Sequence, residues 1–162
     1  MKVLVEINNL STCRIGEDFF IGTVKETLKV SGYDFLARKN VSVSVALVRP
    51  EEIRKLNKAY RRKNAVTDVL SFAEYKSLAA LKKANEKEIF LGELILCYND
   101  IKEYAEMNRR NVKRELATVV SHGLLHLLSF SHGSRMFRLQ DAVAEKVMAV
   151  KKTKRANSIN EK

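Results

Sequence analysis

Ser121-His122-Gly123-Leu124-Leu125-His126-Leu127-Leu128-Ser129-Phe130-Ser131-His132 is the stretch around which the chain organises itself. It closes the most apolar helical pattern in the sequence, in which Val112, Leu116, Val119, Val120, Leu124, Leu127 and Leu128 cover most of the helix circumference. A helix apolar on nearly all sides must be surrounded by other elements, so this one is expected to be central and buried. The same stretch holds all three histidines of the chain. His122 and His126 are four apart and lie on one helical face, where two imidazoles can meet one ion. His132 follows after the helix must turn, and a chain that doubles back there brings a third imidazole over the first two.

Three protein nitrogens leave a fourth tetrahedral position for water, the feature that separates a catalytic zinc site from a closed structural one. A structural site more often recruits a further Cys or His, and neither Cys13 nor Cys97 is close in sequence. The plainer reading is an apolar helix that carries two histidines by chance, with a third in the next loop. Clustering of every histidine in one segment argues against it. The spacing also occurs in the metzincin protease signature H-E-x-x-H-x-x-G-x-x-H, in which the Glu after the first His is the general base. Here that place is Gly123, so the spacing favours a metal and disfavours peptide hydrolysis.

Outward from this helix, elements alternate. Val3, Val5 and Ile7 read as a strand ending at Asn8-Asn9. Phe20, Val24 and Leu28 recur every four residues in a helix from about Glu17 to Val30, stopped near Gly32. Val41 to Val48 alternates β-branched with small residues, the clearest strand signal in the chain. Pro50-Glu51-Glu52 opens a helix towards Tyr60, with proline in the first turn and acids at the positive end of the dipole. A cationic loop, Arg61-Arg62-Lys63-Asn64, leads to a strand from about Val69 to Ala73. Residues 74–88 are charged and read as a surface excursion with some helical content. Ile89 to Cys97 is a further strand, buried apart from Glu93. Asn99 or Asp100 is the expected cap of a helix through Met107. A final helix from about Met136 to Val150 precedes a basic tail over 151–162, expected to be disordered. The sum is a single α+β domain over residues 1–150. It has a mixed, mostly four-stranded sheet packed with about five helices, one of them the central buried helix that carries the histidines.

Lys plus Arg number 30 against 19 Asp plus Glu, a formal charge of +11. Such an excess favours a polyanionic partner through phosphate neutralisation and counterion release. Two distant cysteines make a disulfide framework unexpected and fit a reducing cytosol. The N-terminus turns acidic too soon for a signal peptide, and no apolar run approaches a membrane span, so a cytoplasmic protein without membrane contact is expected. No Gly-rich phosphate loop or internal repeat occurs, and no small-molecule cofactor is expected.

Taken together, these segments resemble the YbeY family of bacterial rRNA-maturation endoribonucleases. The family signature H-G-x-L-H-L-x-G-Y-D-H is matched by His122-Gly123-x-Leu125-His126-Leu127-x and His132, and L-N-x-x-Y-R by Leu56-Asn57-x-x-Tyr60-Arg61. T-D-V-L-S-F is matched throughout by Thr67-Asp68-Val69-Leu70-Ser71-Phe72, and L-G-D appears as Leu91-Gly92-Glu93, with Glu in place of Asp. The resemblance implies a zinc-dependent, single-strand-specific endoribonuclease acting on 16S rRNA 3′ ends and in ribosome quality control, with ribosomal RNA and the small ribosomal subunit as partners. It further implies one zinc ion held by His122, His126 and His132, and a functional arginine at Arg61. A guanidinium can hold a phosphodiester bidentately and stabilise charge developing on it. Arg62 and Lys63 are candidate RNA contacts beside it. On the residues alone, without the motif, a solvated cation or an ion-pair partner of Asp68 is the favoured reading of Arg61.

The departures from the family pattern cluster before the third histidine, where Gly-Tyr-Asp becomes Ser129-Phe130-Ser131. A helix-ending glycine, a phenol and a carboxylate are all replaced. Two further readings therefore stand beside the endoribonuclease. One is a ribosome-binding assembly factor with a structural metal and little turnover. The other is a metal-dependent hydrolase of peptides or small molecules.

Overall fold

The alternation from Val41 onward folds as a strand, β2 (Asn40–Leu47), that buries Val41, Val43, Val45 and Leu47 on one face. In the computed structural model, residues 1–159 are described, with side chains over 1–150. The basic tail expected over 151–162 thus lies outside the residues described in full. Strand β1 (Lys2–Asn9) pairs parallel with β2, and β2 pairs parallel with β4 (Glu88–Leu96). Strand β3 (Val69–Ala73) adds antiparallel to β4, giving a mixed sheet in the order β1-β2-β4-β3. Parallel neighbours need a crossover. Helix α1 (Glu17–Val30) makes the first, and α2 (Pro50–Arg61) and the short α3 (Leu78–Lys83) flank β3 in the second. Helices α4 (Tyr98–Met107), α5 (Val112–Leu127) and α6 (Ser134–Ile159) follow.

The apolar pattern of α5 has the consequence expected of it. Leu116, Ala117, Val120, Leu124, Leu125 and Leu127 are fully buried, and the helix packs against α1, α4, α6 and the β3–β4 half of the sheet. Its start is fixed locally: Asn111 Oδ1 accepts from the Arg114 N–H at 3.0 Å, a side-chain cap on an otherwise unpaired donor. The opposite face of the sheet carries a smaller cluster in which Ile53 of α2 packs with Val48, Leu70, Ile95 and Cys97.

A β-bulge sets the core register of β4. Ser42 pairs with Phe90 but Ser44 with Glu93, so β4 carries one extra residue. The added residue shifts the alternation, and Ile89 and Leu91 before it and Leu94 and Leu96 after it all reach the same core. Strict period two would have turned Glu93 inward instead. Gly92 occupies the bulge at φ 131°, and a Cβ there would strike the carbonyl oxygen of Phe72 on the adjacent strand. Only glycine fits.

Some boundaries differ from the sequence expectation for local reasons. Neither Asn99 nor Asp100 caps α4, which starts at Tyr98 with Cys97 before it and no side-chain cap. The excursion over 74–88 is not wholly surface, since Leu81 of α3 is buried in the main core. Arg61 ends α2 rather than opening a loop, and Arg62 behind it turns left-handed at φ 58°. Cys13 and Cys97 are free and buried. Among the described residues, no helix is long and apolar enough to cross a membrane.

Candidate metal centre

The turn after α5 is built by backbone geometry. Ser129 takes the left-handed conformation at φ 66°, its N–H bonds to the His126 carbonyl at 2.9 Å, and the Phe130 N–H bonds to the Leu125 carbonyl at 2.9 Å. This pair of bonds is the Schellman arrangement that ends helices when the residue past the cap is left-handed. Glycine is the usual occupant, because a side chain in that region costs about 1 kcal/mol. Aromatic packing holds the turn in place. Phe130 stacks on Tyr33 with centroids 5.3 Å apart, the Arg135 guanidinium lies 5.1 Å from its ring centre, and the Tyr33 hydroxyl donates to the Leu128 carbonyl at 3.1 Å. The chain is thereby folded back over the helix, and His132 meets the other two histidines.

Three Nε2 atoms converge there. His122 and His126 are 3.1 Å apart, His126 and His132 3.1 Å, and His132 and His122 3.4 Å. A tetrahedral ion with metal–nitrogen bonds of about 2.0–2.1 Å requires nitrogen separations of about 3.3–3.4 Å, so the triangle has the size of one face of such a site. The outer nitrogens fix the protonation of two of the rings. His122 Nδ1 lies 2.9 Å from Gln140 Oε1, and His126 Nδ1 lies 3.2 Å from the Phe130 carbonyl oxygen. A backbone carbonyl only accepts, and the amide of Gln140 is assigned with its oxygen towards the ring. Both Nδ1 atoms therefore carry the proton, and both Nε2 atoms present lone pairs to each other. Two lone pairs at 3.1 Å repel unless a cation lies between them. A proton is disfavoured in that role, because burial and then the neighbouring His122 and His132 push the His126 imidazole below its ordinary value. The donor set fits a metal ion, and the three histidines are positioned to bind one.

Gly123 explains what is missing from the site. A Cβ there would lie 3.0 Å from Leu94 Cδ2, 3.1 Å from Ser71 Oγ and 3.1 Å from Val69 Cγ2. The residue after the first histidine thus faces the sheet, pressed against β3 and β4, and a glutamate cannot occupy it as a metal-side base. The absence of the metzincin base follows from how closely α5 approaches the sheet.

Arg61 is exposed, and it makes no hydrogen bond, ring contact or ion pair with the histidines. Its Nη2 donates to the Ser71 carbonyl at 2.9 Å, and its guanidinium lies 5.3 Å from the Phe72 ring centre. Asp68 is not its partner: Asp68 Oδ1 accepts from the Val69 N–H at 2.8 Å and the Thr67 hydroxyl at 3.3 Å. Strand β3 is the link between the arginine and the histidine helix, since the same Ser71 whose carbonyl holds Arg61 places its hydroxyl against Gly123. Arg62 and Lys63 are exposed on the turn after α2. That turn is shaped by buried Asn57, whose Nδ2 donates to the Ala65 carbonyl at 2.9 Å and whose own carbonyl accepts from the Lys63 N–H at 3.3 Å. Sequence reasoning missed Gln140 and Tyr33. Neither carries a local signal, because each acquires its role only when a distant element packs beside the histidine turn.

The family model described as Endoribonuclease YbeY matches residues 6–149. An endoribonuclease YbeY from Macrococcus caseolyticus is 39% identical over 110 residues, covering 65% of this chain and 71% of its own length. A relative of the same name from Mycoplasmopsis synoviae is 34% identical over 126 residues, covering 78% and 79%. Among solved structures, the solution structure of a Thermotoga maritima protein aligns with a TM-score of 0.61 at 25% identity, over 93% of both chains.

Proposed function

The chain belongs to the endoribonuclease YbeY family, and from that premise we propose that it is a zinc-dependent, single-strand-specific endoribonuclease of the cytoplasm. Its substrate in this reading is the 3′ end of 16S ribosomal RNA on the small subunit, and it serves ribosome quality control. The observation that carries the reading is the convergence of three imidazole Nε2 atoms within 3.1–3.4 Å, two of them with lone pairs directed inward by acceptors at Nδ1. His122, His126 and His132 would hold the zinc ion, which when bound would supply Lewis-acid polarisation of a phosphoryl oxygen and activation of water.

The protein's own groups do the rest. Gln140 and the Phe130 carbonyl keep His122 and His126 in the tautomer that presents Nε2. Arg61 is the candidate catalytic residue. With Nη2 on the Ser71 carbonyl and its guanidinium over the Phe72 ring, its orientation is set before substrate arrives, and its remaining N–H groups are available to a phosphodiester. Arg62 and Lys63 add phosphate neutralisation on the same turn. The attacking group, water or the RNA 2′-hydroxyl, is distinguished by 2′-deoxy substitution at the cleaved nucleotide, which abolishes cleavage only in the second case.

One observation favours the assembly-factor reading as a second choice. His132 is exposed and its Nδ1 has no hydrogen-bond partner among the described residues, so the third ligand is less firmly oriented than the other two. Elemental analysis of the purified protein, joined to cleavage of a single-stranded oligoribonucleotide, tests the choice. The endoribonuclease reading expects about one zinc per chain, with cleavage lost on chelation and in His126→Ala and restored to the wild type by zinc. Bound zinc without cleavage supports the assembly factor, and no bound transition metal overturns both.

A further inference from the structure

We propose that Phe137 is a stacking platform for one unpaired base of the RNA strand at the metal centre; the RNA in this inference rests on the ribonuclease reading above. Phe137 lies in the first turn of α6, its N–H bonded to the Gly133 carbonyl at 3.1 Å. The residue is 46% exposed, although Met136 beside it is buried. The ring lies nearly parallel to that of His132, with centroids 6.4 Å apart and planes at 22°. At that offset the histidine covers only part of the phenyl surface, and His132 is its only ring contact among the described residues. The other aromatic groups at the turn are committed. Tyr33 spends its hydroxyl on Leu128, and Phe130 is held between Tyr33 and Arg135. Phe137 thus presents a free aromatic face immediately beside a candidate metal ligand.

A nucleotide whose phosphate sits at the histidines brings its base, or that of its neighbour, to this face. Stacking on an aromatic side chain needs no particular base, since every base has a π-face, and it is open to a base that is not already paired and stacked in a duplex. Phe137 therefore supplies a physical reason for preferring single strands. It acts on binding and positioning of the substrate rather than on the chemistry.

The test uses the zinc-loaded wild type with Phe137→Leu and Phe137→Trp, and a hexaribonucleotide set carrying one abasic ribose at each position in turn. Binding is read by rapid-mixing fluorescence anisotropy before turnover, and zinc content is measured for every variant. Phe137→Leu keeps an apolar cover over His132 but removes the π-face. It is expected to weaken binding and raise KM by roughly 5- to 150-fold at unchanged zinc content, while Phe137→Trp retains wild-type binding. At one abasic position the difference between wild type and Phe137→Leu should vanish. If the leucine variant loses zinc instead, or weakens the intact and every abasic strand equally, Phe137 merely shields His132 and the inference is overturned. A protein that binds these strands with the predicted Phe137 dependence but never cleaves them retains the platform and loses the ribonuclease reading, so the two failures are separable.

Discussion

His122 and Gln140 are joined across two helices: the imidazole Nδ1–H of α5 donates to the side-chain oxygen of α6 at 2.9 Å. The bond couples the placement of α6 to the tautomer of the first candidate ligand. Removing it with Gln140→Leu is expected to lower zinc affinity about 10- to 100-fold, while Gln140→Glu keeps an acceptor and retains tight binding. Competition with a chromophoric chelator measures both. His132 has no such partner, and Ser131 beside it is exposed. Ser131→Asp offers that ring a carboxylate and is expected to tighten zinc by about tenfold or more; equal affinity in the variant means that the 131 side chain does not reach His132.

Gly123 reports how tightly α5 lies on the sheet. With side chains of Leu94, Ser71 and Val69 at 3.0–3.1 Å from a Cβ position, Gly123→Glu must displace the helix or bury a charge between α5 and strands β3 and β4. The expectation is a loss of at least about 1–3 kcal/mol from overpacking alone, with Tm several degrees lower and zinc content reduced. A variant that folds with native Tm and gains peptidase activity would revive the metzincin comparison.

Ser129 carries a cost that the family's glycine avoids. At φ 66°, Ser129→Gly relieves about 1 kcal/mol of left-handed strain, which corresponds to a Tm rise of about 2–4 °C for a chain of this size. Zinc affinity should be unchanged, because the Phe130 carbonyl keeps its place. Calorimetry of the two proteins checks it, and a lower Tm for the glycine variant contradicts the assignment of the turn.

Arg61 and its neighbours are expected to divide cleavage from binding. Arg61→Ala is expected to slow cleavage of single-stranded RNA about 100-fold or more while changing Kd little, and Arg61→Lys should not restore it, since an ammonium cannot serve the Ser71 carbonyl, the Phe72 ring and a phosphate together. Replacing both Arg62 and Lys63 by alanine should chiefly weaken binding. It should also flatten the dependence of log K on log salt by about 0.7 per lost phosphate contact. Equal effects on rate and affinity from all three positions would remove Arg61 from the catalytic role.

What the sequence by itself determined is what depends on neighbours along the chain. Periodicity marked β1, β2 and the central helix, and apolar β-prone runs marked β3 and β4, because burial at spacings of 2 and 3.6 and local propensity are written along the chain. The helical spacing of His122 and His126, with one further histidine past the turn, was enough to nominate the ligand set. Only the tertiary structure decided the rest. That His132 closes the set at 3.1 Å depends on the Ser129 turn and on Tyr33, which lies 95 residues before the carbonyl it bonds. Arg61 could be read as a loop cation or as the partner of Asp68 until β3 offered it the Ser71 carbonyl and the Phe72 ring. Gln140 had no signal in the chain at all, since a side-chain amide on a helix acquires meaning only from what another helix places within hydrogen-bond reach of it. Short-range patterns encode elements and candidate ligands. Partners that lie far apart in sequence exist only after packing has fixed the distances between them.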